Sequence, residues 1–258
     1  MKSPIRSRRS HLRSLFSFLF LLLLSPHPAP AETAPPLALW SEFQSDAEVT
    51  AALPMLARDG IALYLNIPST RIGDPGIANL IESAAAHGVP CKAWITLPYD
   101  QGYWPGETNR VLFRSAVEAF VAWVQAEALP VSWIVFDMEI DFATAQQIGA
   151  LGQAIAEGDL RAIHDLYRVF AETYDREAFL AAAADYAALV DALHEAGFLA
   201  QVTTYPTVLD DLYDGDPDLQ DITDTPVVVA EVPIDWDLLS FMVYRTIYGE
   251  TRFTADLV

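Results

Sequence analysis

The feature that most constrains this chain is an alternation. Short apolar runs, each closed by a polar or turn residue, take turns with longer segments of helical spacing. The runs are residues 37–40, 61–67, 91–97, 131–139, 198–205 and 238–244, the first leading into Ser41-Glu42. Between them lie helical patterns over 46–58 (Val49, Leu53, Leu56), 74–86 and 107–129 (Leu112, Val117, Phe120, Val124). Gly60, Gly88 and Gly197 follow helix ends, where a left-handed stop is needed. Continuous apolar runs suit strands covered on both faces, and strands alternating with helices predict a parallel α/β fold. The connection after the fourth run is longer. It predicts two extra helices over 144–156 and 159–172, broken at Gly158, before a crossover helix over 175–196.

A doubly wound nucleotide-binding sheet would carry glycines in its first turn, whereas that turn is Trp40-Ser41-Glu42-Phe43-Gln44. The expectation is therefore a (β/α)8-type TIM barrel, with about six of the eight βα units in this chain. Only 14 residues follow Tyr244, so residues 32–258 are expected to form a barrel domain incomplete at its C-terminal end. Residues 226–230, with Val227-Val228-Val229, are read as loop because Pro233 and acids surround them.

Residues 1–31 read as an export signal. Lys2, Arg6, Arg8, Arg9 and Arg13 precede an apolar run from Leu15 to Leu24, and Ala29-Pro30-Ala31 offers small residues for cleavage. That run is too short to span a bilayer, so no stable membrane anchor is expected after cleavage. Ser7-Arg8-Arg9-Ser10-His11-Leu12-Arg13 is similar to the twin-arginine pattern, with His11 and Arg13 departing from it. The expected destination is periplasmic or extracellular. Cleavage would remove five of 15 basic residues and none of the 35 acids, leaving a body of net charge −25 with Lys92 as its one lysine. Such a surface opposes nucleic-acid binding, which needs cations to neutralise phosphate.

Chemistry concentrates where the fourth run ends, at Phe136-Asp137-Met138-Glu139. Strand alternation puts Asp137 and Glu139 on one face, roughly 6–7 Å apart along the chain. In a barrel of parallel strands, the C-terminal strand ends are where active sites sit. Other strand ends add Glu42, Asn66 and Tyr205, and Trp94 shares a face with Thr96. Trp94, Tyr103 and Trp104 supply flat apolar rings on which sugars could stack, or they pack a lid loop. No histidine has zinc-ligand spacing, and Asp210 to Asp224 lack the spacing of a calcium loop, so no metal or cofactor is expected. That acidic stretch is read as a solvated loop. Cys91 is alone and is read as a small core residue. Nothing in the sequence specifies an oligomeric state.

Two stretches resemble the chitinase-type (family 18) glycoside hydrolases. Asp137-Met138-Glu139 is similar to the acidic end of that family's fourth strand. Met242-Val243-Tyr244-Arg245, with its lead-in from Ile234 to Phe241, is similar to its sixth. The resemblance implies Glu139 as general acid, its pKa raised beside Asp137, and Asp137 orienting an acetamido group that acts as internal nucleophile. It implies that the Tyr244 hydroxyl reaches the reacting sugar. The family's two earlier aspartates fall at Ser132 and Val135, and Arg245 stands where an acid or amide is usual. Arg245 would either pair with Asp137 or Glu139, or bind a carboxylate on an acidic sugar. The implied function is cleavage of a polysaccharide, an N-acetylhexosamine polymer among the candidates. A muramidase-like hydrolase acting on peptidoglycan and a non-catalytic saccharide-binding barrel are the alternatives.

Overall fold

The computed structural model describes residues 37–243. The expected signal segment lies outside the described residues, as do Tyr244 and Arg245. Six strands form one sheet in the order β1-β2-β3-β4-β5-β6, every neighbouring pair parallel. They are β1 (Ala38–Ser41), β2 (Ala62–Pro68), β3 (Cys91–Thr96), β4 (Trp133–Asp137), β5 (Leu199–Thr204) and β6 (Leu238–Phe241). Helices α1 (Asp46–Asp59), α2 (Pro75–Ala86) and α3 (Arg110–Glu127) fill the first three connections. The long fourth connection holds α4 (Phe142–Ala156), α5 (Arg161–Thr173) and α6 (Arg176–Glu195), as the spacing predicts.

Local chemistry sets the helix ends. Ser45 and Glu48 form a reciprocal capping box at the start of α1, and Gly60 closes it at φ 67°. Asp74 caps α2 with Pro75 at its first position, and Asp141 accepts from Ala143 N and Thr144 N at the start of α4. Arg71 ties Asp46 to Asp74, joining the N-terminal ends of α1 and α2.

Alternation divides each strand between two environments. Leu63, Leu65, Ile67, Ala93, Ile95, Ile134, Phe136, Ala200 and Val202 belong to the core shared with the helices. The opposite face carries Trp40, Tyr64, Asn66, Lys92, Trp94, Val135, Asp137, Gln201 and Thr203. This second face is concave. Tyr64 on β2 donates to Gln201 Oε1 on β5 at 3.0 Å, although three strand spacings span roughly 14 Å in a flat sheet. Lys92 on β3 also donates to Gln201 Oε1 at 2.7 Å, with its ammonium 3.9 Å from the Trp133 ring centroid. The sheet is thus a curled half-barrel with a polar and aromatic inner face.

The acidic stretch after β5 is not the solvated loop expected from composition. It folds into α7 (Val208–Asp214) and α8 (Asp218–Ile222), and Asp211, Gln220 and Asp221 are buried. Asp side chains there satisfy backbone donors that a loop would leave to water. Asp211 accepts from Leu219 N and Gln220 N, Asp221 from Asp175 N, and Asp224 from Glu107 N at 2.7 Å. Residues 226–230 form no strand, only an isolated bridge between Val229 and Val232.

These contacts gather Glu107 with Asp224, Asp221 and Asp175, while Arg110 Nε is committed to Asp185. Burial, then these acids, push Glu107 up to about 7, and burial pushes Asp224 up to about 6. Both lie above their unfolded values, so the folded state holds extra protons between pH ~4 and ~7, and stability falls as pH rises through that window. Thermal unfolding is expected at a higher Tm at pH 5 than at pH 8, by on the order of 1 kcal/mol or roughly 2–4 °C. Glu107→Gln is expected to shrink that difference; an unchanged pH dependence in the variant would remove Glu107 as its source.

Candidate active site

The C-terminal ends of the strands enclose a cavity of about 390 Å³. Its walls come from both ends of the sheet: Trp40 and Glu42 at β1, Tyr64 and Trp94 in the middle, Asp137 and Glu139 at β4, Thr203 and Ser240 at β5 and β6. The volume falls in the range of small-ligand pockets. β4 ends at Asp137, and Glu139 follows in irregular backbone that still holds the ladder through Met138 N donating to Thr203 O at 2.8 Å. Asp137 and Glu139 therefore meet in one pocket, as strand alternation predicts.

The two carboxyl groups differ in burial and partners. Asp137 is 5% exposed, and its Oδ1 has no hydrogen-bond partner among the described residues. Burial, then the charges of Glu139 and Glu42, hold its carboxyl well above the usual range, opposed in part by the Trp104 indole. Glu139 is half-buried and accepts from Tyr205 Oη at 2.9 Å. Burial raises its pKa as well; the Tyr205 bond counteracts this and Glu42 adds to it. Asp137 and Glu139 thus act on each other, and Glu42 adds a like charge to both.

The other expected site residues take varied positions. Trp94 is buried and lines the cavity, edge-on to Trp40 at 4.9 Å, with an indole Nε1 that has no hydrogen-bond partner among the described residues. Trp104 lines the cavity too. Tyr103 does not present an open ring. It is buried, stacked on Tyr99 at 4.3 Å, and its hydroxyl donates to Glu42 Oε1 at 2.9 Å. The exposed ring of that pair is Tyr99. Asn66 is buried and donates to Thr96 Oγ1 at 3.2 Å, outside the cavity lining. Tyr205 acts on Glu139 rather than lining the space itself. Ser132 is exposed, and Val135 is fully buried directly beneath Asp137 on the inner face.

Sequence reasoning missed Trp40, Tyr64, Thr203 and Ser240, which complete the walls. Period two could have found the first three, since Trp40 precedes Glu42, Tyr64 precedes Asn66 and Thr203 precedes Tyr205 by two residues. Thr203 and Ser240 share a hydrogen bond of 2.7 Å, and Gln201 Nε2 donates to Ser240 at 3.0 Å.

No protein-family model matches this chain, and no curated protein matches it. Among the described residues no group of three or more His, Cys, Asp or Glu could hold a metal ion, and no helix is long and apolar enough to cross a membrane. Cys91 packs beside the core, its thiol pushed up to about 12 by burial, which leaves it a poor nucleophile.

The site therefore offers three carboxyl groups, buried donor and acceptor atoms unpaired among the described residues, and aromatic walls. The Tyr205 contact can be tested without a substrate. Tyr205 donates to the charged form of Glu139, so Tyr205→Phe is expected to raise the Glu139 pKa further. Carboxyl-carbon NMR titration reads this directly; a fall or no change would mean the bond does not form in solution.

Proposed function

We propose that this protein is an exported glycoside hydrolase that cleaves a polysaccharide. Its (β/α)8-type barrel would be represented here by six βα units. Glu139 is the general acid, protonating the glycosidic oxygen, and Asp137 is its partner. The observation that carries this reading is the pairing of Asp137 and Glu139 at the end of β4, in an aromatic-walled cavity where burial raises both carboxyl pKa values. A raised pKa is what a general acid needs near neutral pH. Trp94 Nε1 and Asp137 Oδ1, unpaired among the described residues, are a donor and an acceptor of the kind sugar hydroxyls satisfy. Tyr244 and Arg245 enter through the resemblance to chitinase-type hydrolases, as a hydroxyl to the reacting sugar and as a substrate or ion-pair contact.

Val135 supports a second reading, a saccharide-binding barrel without turnover. An apolar residue beneath Asp137 leaves no acid there to relay a proton. The experiment is incubation of the exported protein with chitin oligomers, peptidoglycan and deacetylated chitin, measuring both new reducing ends and binding. Cleavage of one polymer that disappears in Glu139→Gln is expected. Binding without cleavage that is lost in Trp94→Ala would favour the second reading, and neither cleavage nor binding would sink both.

A further inference from the structure

We propose, resting on the hydrolase reading above, that Glu42 is the second catalytic carboxyl group. In this role it is a general base that activates water while Glu139 protonates the leaving oxygen, so the reaction needs no acetamido group on the sugar. Glu42 follows β1 two residues after Trp40, which puts both on the inner face. Glu139 follows β4, three strands away. Both line one cavity, and Glu42 is close enough for its charge to act on Glu139. The three strand spacings amount to roughly 14 Å along the sheet. Curling brings the two walls to face each other across the cavity. Facing walls of one cavity are what an inverting pair requires, with its carboxyl groups roughly 6.5–9.5 Å apart and a water between.

Each of the two glutamates is held by a tyrosine from a different loop. Tyr103 Oη donates to Glu42 Oε1 and Tyr205 Oη to Glu139 Oε2, both at 2.9 Å. Among the described residues nothing bonds to Glu42 Oε2, which is the atom that would meet a water. Asp137 is poorly placed for the same task. It lies two residues from Glu139 on the same wall, is almost fully buried, and rests on Val135 rather than on an acid.

The step balances as a hydrolysis. The water oxygen forms a bond to the anomeric carbon as its proton passes to Glu42. The bond from that carbon to the glycosidic oxygen breaks, and the leaving oxygen takes the proton of Glu139. Two proton exchanges with solvent restore both groups. The anomeric configuration inverts, and no neighbouring group on the sugar takes part.

The test uses the N-acetylated chitin hexamer and its fully deacetylated counterpart, whose ammonium groups suit an acidic pocket, with reducing-end release and NMR of the first-formed anomer. Wild-type protein is expected to cut both hexamers with inversion. Glu42→Gln is expected to lower kcat by about 10²–10⁴-fold. Azide should restore turnover to Glu42→Ala as a glycosyl azide, because azide needs no base; this also shows that the variant is folded. Cleavage of the acetylated hexamer alone, retention of configuration, or Glu42→Gln at the wild-type rate would overturn Glu42 as base. If Glu139→Gln is inactive in that last case, the hydrolase reading survives. Wild-type protein that cuts neither hexamer would overturn this proposal, and the hydrolase reading falls with it if peptidoglycan is also left intact.

Discussion

Glu139→Gln is expected to lower kcat on a cleaved polymer by about 10²–10⁴-fold with little change in KM, a loss of roughly 3–5 kcal/mol of transition-state stabilisation. Glutamine keeps the shape and still accepts from Tyr205, but it has no proton to give. The pH profile carries the more specific signature. An acid must be protonated to act, so wild-type activity should fall as pH rises through the raised Glu139 pKa, and the variant should lose that alkaline limb. Substrates with an activated nitrophenyl leaving group need less protonation and should suffer less. Equal loss on activated and natural leaving groups would point to a damaged pocket instead of a missing acid.

The largest effect on stability is expected one residue below the pair. Phe136 is fully buried on the core face of β4, with ring centroids 5.3 Å from Phe113, 5.0 Å from Trp236 and 6.3 Å from Tyr186. It thus joins β4 to α3, to α6 and to the segment leading into β6. Phe136→Ala is expected to cost about 3–5 kcal/mol, combining lost transfer energy with a cavity that rigid neighbours cannot close. Tm should fall by roughly 10 °C at about 2–4 °C per kcal/mol. A urea midpoint that barely moves would show that the β4 core relaxes around the gap. Because Asp137 follows Phe136 directly, the cavity should also loosen the site.

The strands and long helices were legible because each advertises a period and an end. In α1, Ser45, Glu48 and Gly60 mark both boundaries in sequence, and Val49, Leu53 and Leu56 mark its buried face. The Asp137–Glu139 pair was legible by alternation alone. The acidic stretch was misread because composition counts charge but not the backbone donors that Asp211, Asp221 and Asp224 satisfy once folded. The partner of Tyr103 was not legible for a related reason. Nothing in its neighbourhood reveals that its hydroxyl reaches Glu42, 61 residues earlier. The pocket wall at Ser240 depends on the curl of the sheet, which period two does not encode.

Lys92 gives the lumen a direction. Its ammonium lies at the level of Trp133, and among the described residues no carboxylate lies within 4 Å of it. Asp137 stands four residues further along β4, about 13 Å of strand rise higher. A cation at the floor and acids at the rim set up a field along the axis of the half-barrel, with low-dielectric aromatic walls to sustain it. A chain-like guest whose two ends differ in charge or dipole would enter that field with one preferred end first. One lysine thus gives the inner face a charge gradient along its axis, independently of what the carboxyl groups do.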